Sequence, residues 1–318
     1  MLKKIQVIRL VLLLLLPGAG LWGQVADSAA VVREVDSLME MSKKFIGNND
    51  LSQALEICSV ANQLVLKQFG KESLSYAKVC QMQGAVCYNQ NNFQEAEKYW
   101  NETKDIRVRI LGKEHPDYAF ILNNLAILYR TVGKYDLAES LLIESKEIRE
   151  KTLGKGRPDY ASSLNSLADL YKAMDKYLQA ESLYLEAKRI RGNVFGKEHP
   201  AYSACVHNLG VLYSELGRYE ESEPLLMECV TIDEKISGKN HPDYAMSLGS
   251  LARLYVVLNK YDKAEELMIV SISIFENTIG KESPIYAAAL MNLSNLYRNI
   301  GQFLKAVKLY TECMNILE

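Results

Sequence analysis

The chain is poor in the residues and patterns that active-site chemistry needs. Its 318 residues include only four histidines, and they contain no Gly-rich phosphate loop, no zinc-ligand spacing and no nucleophile elbow. Lysine and arginine number 37 against 39 aspartates and glutamates, with no basic run, which speaks against nucleic acid as a partner. No linker and no low-complexity stretch interrupts residues 24–318. The apolar run at residues 10–16 falls far short of the roughly 20 residues that span a bilayer. No integral membrane span, cofactor or metal site is therefore expected in the mature chain.

That apolar run has another meaning. Lys3, Lys4 and Arg9 precede it, and Pro17, Gly18, Ala19, Gly20 and Gly23 close it. A charged start, a short apolar middle and small residues at the end describe a secretory signal peptide over residues 1–23. Its removal takes away three positive charges, so the formal balance moves from −2 to about −5. An exported protein, periplasmic or extracellular, is expected. No cysteine precedes Cys58, which argues against a lipid-modified mature N-terminus.

What the chain does have is a period. Pro116, Pro158, Pro200, Pro242 and Pro284 follow one another at 42 residues, and Tyr76, Tyr118, Tyr160, Tyr202, Tyr244 and Tyr286 keep the same step. A fixed period of this size means stacked repeats sharing one continuous core, whatever the chain length. Proline, with fixed φ and no N–H, suits the first position of a helix, and Asp117, Asp159 and Asp243 behind it sit at the positive end of the helix dipole. From each proline a first helix is expected, with Leu122, Leu125, Ala126 and Tyr129 forming an apolar stripe at helical spacing.

The first helix must stop near Gly133, whose equivalents are Asn49, Asn91, Asp175, Gly217, Asn259 and Gly301, all types that tolerate a left-handed backbone. A second helix then runs from about Tyr135 to Leu153, turning Ala138, Leu141, Leu142, Ser145 and Ile148 inward. Gly70, Gly112, Gly154, Gly196, Gly238 and Gly280 end it in the same way. Each unit is thus a helical hairpin that buries its face by stacking on the next. Residues 24–73 comprise a short lead-in at 25–31 and a degenerate N-terminal capping unit. Residues 74–318 hold six units, the last closing about seven residues early. Pro224 lies in the first turns of one second helix, where a slight bend and no break is expected.

Leu125, Ala126, Tyr129, Gly133, Tyr135 and Ala138 resemble the tetratricopeptide repeat pattern. The 42-residue period and the connector from Leu111 to Asp117, Leu-Gly-Lys-Glu-His-Pro-Asp, resemble the longer kinesin-light-chain type of that repeat. The resemblance covers roughly residues 35–318. It implies an all-α, right-handed superhelical solenoid of about seven antiparallel hairpins. It also implies that the first helices line a concave groove that binds an extended peptide or partner protein and performs no chemistry.

By the same resemblance, the groove would be lined one residue either side of the buried stripe. Those positions hold Asn123, Asn165 and His207; Asn124, Asn208 and Asn292; Asp169, Arg253 and Asn295; and Arg130, Lys172 and Arg298. Asparagine amides donate and accept, so they can hold a peptide backbone without demanding a sequence. The bland alternative is a solvated helix face, or amides such as Asn124 bonded to the neighbouring turn. A carboxylate clamp of the kind used by the family's chaperone-tail binders fits poorly. Arg130 and Lys172 could supply charge, but Asp169 lies between them and Gly249 and Met291 interrupt the later units. Gly249, Val256 and Val257 make that stretch locally apolar.

The remaining candidates read as structural. His115, His199 and His241 each precede a helix-starting proline, and equivalent sites in adjacent repeats lie about 10 Å apart, whereas ligands to one metal ion converge at about 2 Å. They are expected to cap helices. The six cysteines fall mostly in buried columns, where cysteine serves as a small hydrophobe; Cys58 and Cys80, facing each other across the first and second units, are the pair to test for a disulfide. Acidic pairs such as Glu265 and Glu266 read as outward solubility charges. The expected function is a secreted binding scaffold. The alternatives are the N-terminal sensor part of a larger enzyme, resembling arrays fused ahead of caspase-like peptidase domains, and self-association through an open C-terminal hairpin.

Overall fold

In the computed structural model, residues 21–317 are described, with side chains from 28 to 316, and they form fourteen α-helices and no strand. The hairpins are α1 Leu21–Gly47 with α2 Leu51–Gln68, α3 Leu74–Asn89 with α4 Phe93–Leu111, and α5 Pro116–Thr131 with α6 Tyr135–Leu153. Then come α7 Pro158–Ala173 with α8 Tyr177–Phe195, α9 Pro200–Glu215 with α10 Tyr219–Ser237, α11 Pro242–Val257 with α12 Tyr261–Thr278, and α13 Pro284–Asn299 with α14 Phe303–Leu317. Seven hairpins stack as an all-α solenoid, each touching its sequence neighbours. The export signal expected at residues 1–23 falls mostly outside the described residues. The lead-in expected at 25–31 is helical and continuous with α1; Ala29 and Ala30 are strong helix formers, and nothing in that stretch breaks the turn.

The helix boundaries follow from local chemistry. His115, His199 and His241 cap α5, α9 and α11, their Nδ1 atoms accepting from the backbone N–H of Asp117 (3.1 Å), Ala201 (3.1 Å) and Asp243 (3.2 Å). At the other end, every expected stop adopts the left-handed conformation: φ is 58° at Asn49, 59° at Asn91, 57° at Asp175 and 56° at Asn259, and Gly133, Gly217 and Gly301 stand at 75°, 74° and 78°. That turn lets the next N–H reach back, as in Lys134 to the Tyr129 carbonyl at 2.8 Å, closing the helix end. Helix α10 runs unbroken through Pro224.

Within a hairpin the two helices meet over small residues. Ser42, Gly84, Ala126, Ala168, Gly210, Ala252 and Ser294 form one column against Ala54, Ala96, Ala138, Ala180, Ser222, Ala264 and Ala306. At Gly84 an added Cβ would lie 2.3 Å from Trp100 Nε1. Where the small residue is serine, its hydroxyl bonds a carbonyl of the partner helix, as Ser222 does to Gly210 at 2.7 Å and Ser294 to Ala306 at 2.7 Å, so no buried polar group is left unpaired there.

Between hairpins two devices repeat. A glutamate on α4, α8 and α12 accepts from a tyrosine hydroxyl on the next first helix: Glu97 from Tyr129, Glu181 from Tyr213 and Glu265 from Tyr297, each at 2.7 Å. Lys176, Arg218 and Lys260 in the turns then pair with Glu139, Glu181 and Glu223 at 3.6, 2.9 and 3.1 Å and lie over the rings of Tyr171, Tyr213 and Tyr255. Burial, aided by the neighbouring carboxylate, pushes the Tyr171, Tyr213 and Tyr297 hydroxyls up to about 12. Glu265 is therefore a fastener between repeats rather than a solubility charge; its outward neighbour Glu266 is exposed.

The second device is an arginine near the end of α4, α6 and α8. Arg107, Arg149 and Arg191 donate to the carbonyls of Asp117 (3.0 Å), Asp159 (3.1 Å) and Ala201 (3.1 Å) at the start of the next first helix. In α10 the same position is Asp233, buried and accepting from Ser203 at 2.6 Å and from Ser247. In α12 it is Phe275. All six cysteines are buried free thiols, Cys58 and Cys80 included; burial raises those two to about 11 and about 12.

The curvature follows from which helices approach. The first helices α1 and α3, α5 and α7, α9 and α11, and α11 and α13 touch one another, and no pair of successive second helices comes as close. The first helices therefore form the inner wall. Among the described residues no helix is long and apolar enough to cross a membrane.

Candidate functional site

Along the inner wall, from α3 on, a helical stripe at the positions of Asn123, Asn124, Ile127 and Arg130 escapes full burial in the hairpin core. On α5, Asn123, Asn124 and Arg130 are half-buried. The Asn123 Oδ1 is shielded from solvent and has no hydrogen-bond partner, whereas buried polar atoms are normally satisfied.

From α7 to α11 the wall carries one continuous hydrogen-bonded string. Ser250 Oγ lies 2.8 Å from His207 Nε2, and His207 Nδ1 lies 3.4 Å from Asn208 Oδ1. Asn208 Nδ2 donates to Asn165 Oδ1 at 3.2 Å, and Asn165 Nδ2 donates to Asp169 Oδ2 at 3.3 Å. Tyr184, reaching through from α8, donates to the other oxygen of Asp169. One assignment satisfies every link: a neutral His207 with its proton on Nδ1 accepts from Ser250 and donates to Asn208, so all donors point one way and the string ends on the carboxylate. Asn208 thus bonds across repeats, not to its neighbouring turn.

The electrostatics agree. Burial holds the His207 pKa below its ordinary value, against the opposing bond from Asn208. Burial also raises the Asp169 carboxyl, more than the Tyr184 bond and the charges of Arg130, Lys172 and Arg191 lower it. Lys172 is itself paired with Glu215 at 3.0 Å, so little free positive charge remains on α7.

Beyond Ser250 the wall changes. Gly249 stands where other first helices carry Met39, Gln81, Asn123, Asn165, His207 or Met291, and a cavity of about 180 Å³ opens there, floored by Met268, Ser271 and Phe275 and walled by Met246 and Ile285. Arg253 and Asn292 stand at its rim, Arg253 exposed and without an ion pair among the described residues. Asn295 accepts from Tyr310, and Arg298 is exposed further along α13. The apolar character expected around Gly249, Val256 and Val257 is met at Gly249 alone; Val256 packs into the core and Val257 faces solvent.

The twelve expected residues therefore fall into three groups: Asn123, Asn124 and Arg130 on α5; Asn165, Asp169, Lys172, His207 and Asn208 in and beside the string; and Arg253, Asn292, Asn295 and Arg298 around and beyond the cavity. Sequence reading missed Tyr184, Tyr310, Ser250 and the cavity floor. The tyrosines could have been found, since each lies 15 residues after the acceptor it serves.

The comparisons with known proteins agree with this architecture. The tetratricopeptide repeat family model matches residues 79–151, 121–193, 159–235, 202–276 and 258–318. No curated protein matches the chain. Among solved structures, the nearly identical TPR-like repeats of a kinesin light chain protein from Podosopora anserina are 28% identical, covering 64% of this chain and 96% of that one with a TM-score of 0.53. BtubC (BKLC) from P. vanneervenii is 21% identical over 71% of this chain and 90% of its own, TM-score 0.57. NprR in complex with its cognate peptide NprX is 15% identical over 94% and 81%, TM-score 0.63; at these last two identities only the fold is shared. With matches running from residue 79 to residue 318, the chain belongs to the tetratricopeptide repeat family.

Proposed function

We propose that this solenoid is a non-catalytic scaffold whose inner wall binds an extended peptide or a segment of a partner protein. The string from Ser250 to Asp169 carries the reading. Each asparagine amide in it spends one donor and one acceptor on the string and keeps another of each, which is what a peptide backbone requires. NprR, which shares the fold, is known in complex with a peptide. The test is to screen the full chain against an array of unstructured peptides. Binding is expected, weakened about tenfold or more by Asn165→Ala with Asn208→Ala; if Asn123, Asn165 and Arg298 replacements leave every binding constant unchanged, the inner wall is not the site.

We also propose that the protein works outside the cytoplasm, on the strength of Lys3, Lys4 and Arg9 ahead of the apolar run at 10–16. Mass measurement of the protein recovered from separated cell fractions should find a chain starting near residue 24 in the exported fraction.

A second reading rests on α14. Phe303, Leu304, Val307 and Met314 are exposed on it, and Val307 occupies the position where Glu97, Glu139, Glu181, Glu223 and Glu265 fasten the next tyrosine. Such an apolar face suits an apolar partner, and a second copy of the chain is the occupant to test. Sedimentation should show concentration-dependent association that Leu304→Glu with Val307→Glu removes; a strict monomer at all concentrations overturns it.

A further inference from the structure

The cavity beside Gly249 is where two separate columns of the repeat change character at once. The groove position that is an amide or imidazole in Gln81, Asn123, Asn165 and His207 becomes Gly249. The position that is charged in Arg107, Arg149, Arg191 and Asp233 becomes Phe275. The first change leaves no side chain where those repeats carry a polar one, and the second replaces a charged residue by an aromatic floor.

Gly249 is not forced by packing. An added Cβ would meet only Ser271 Oγ, at 3.7 Å, an ordinary contact, whereas one at Gly84 would strike Trp100. A glycine in a helix interior costs about 0.5–1 kcal/mol relative to alanine, and φ here is ordinary helical. What the glycine leaves is space: about 180 Å³, more than the roughly 150 Å³ that admits a benzene ring in an engineered apolar cavity. At the mouth stands Arg253, with no ion pair among the described residues, next to the half-buried amide of Asn292.

We propose that this cavity is a side-chain socket, taking one leucine-, methionine- or phenylalanine-sized side chain of an extended peptide while a carboxylate of that peptide meets Arg253. The proposal rests on the inner-wall reading above and adds the ligand's chemistry to it. The apolar side chain supplies affinity by leaving water, and the guanidinium, whose fork matches a carboxylate, fixes its direction.

The test uses the full chain labelled with 13C at its methionine methyls, since Met246 and Met268 line the socket and Met82, Met174 and Met227 do not. N-acetylphenylalanine is titrated as probe. Saturable shifts at Met246 and Met268 are expected, with the control methyls unmoved and Gly249→Met abolishing the effect. N-acetylphenylalaninamide should bind at least fivefold more weakly, and N-acetyl-aspartyl-phenylalaninamide carries the acid on a side chain instead of the terminus. Whichever acid outbinds the amide tells where the carboxylate sits; if neither does, or if Arg253→Gln leaves the preference intact, the Arg253 contact is wrong. No saturable shift at either methyl, or shifts that survive Gly249→Met, overturns the socket. Peptides from the array that lose binding with Asn165→Ala and Asn208→Ala but not with Gly249→Met would sink the socket and leave the inner-wall reading standing.

Discussion

Two stretches of the inner wall are built from the same helix positions and differ in what fills them. From α7 to α9 the positions hold Asn165, Asp169, His207 and Asn208, joined to one another and to Tyr184 and Ser250 by hydrogen bonds. From α11 to α13 they hold Gly249, Arg253 and Asn292 around an apolar cavity. A repeat keeps its backbone and its hairpin core while the columns outside that core vary freely, because those side chains bear on neighbours rather than on the hairpin itself. Under the proposed function, the polar stretch would hold a peptide backbone and the apolar stretch would select a side chain.

The sharpest way to probe that contrast is to make the same change at two glycines. Gly84→Ala should lower stability by about 2 kcal/mol, since the new Cβ must displace the packed indole of Trp100. Urea unfolding would reveal it, and an unchanged midpoint would mean that the indole moves aside freely. Next in size, Tyr184→Phe should cost about 1–2 kcal/mol by leaving the Asp169 carboxylate without one of its donors. Tyr310→Phe, on the exposed last hairpin, should cost less. Equal losses would show that the string confers no special stability on the middle of the array.

Gly249→Ala should instead stabilise the chain by up to about 1 kcal/mol, because it gains helix propensity with no clash. A loss there would mean that the cavity is tighter than its volume implies. The smallest effect concerns pH. The His207 pKa is depressed below its ordinary value of 6.5 by burial, so the unfolded chain takes up a proton that the folded chain resists. Its stability contribution is complete above about pH 6.5 and is lost as pH falls through the folded pKa. His207→Gln should therefore flatten the decline in unfolding free energy between pH 7.5 and pH 5.5; parallel declines in both chains would place the dependence elsewhere.

Much of the fold was legible because it is local chemistry repeated. Asn49, Asn91, Asp175 and Asn259 share one column with Gly133, Gly217 and Gly301, and a left-handed stop is a property of one residue and its turn, so every one behaves alike. The histidine caps are equally local, since each imidazole reaches a backbone N–H two residues on. Glu265 was misread because its partner, Tyr297, lies 32 residues away on the next hairpin, and in its own helix it looks like any other surface acid. The cavity floor was missed for a related reason: Met268 and Phe275 read as ordinary core residues of α12 until the absence of a side chain at Gly249 uncovers them.

The amino-acid order alone determined the hairpins, their length, their stops and the forty-two-residue step between them, because backbone conformation answers to φ preferences, caps and apolar periodicity within a few residues. Only the stacked structure decided which side chains meet: that Asn165 reaches Asn208, that Tyr184 reaches Asp169, and that Gly249 and Phe275 share one empty space. Those meetings depend on the angle and distance at which one hairpin settles on the next, a sum of many small packing forces that no single column of residues carries.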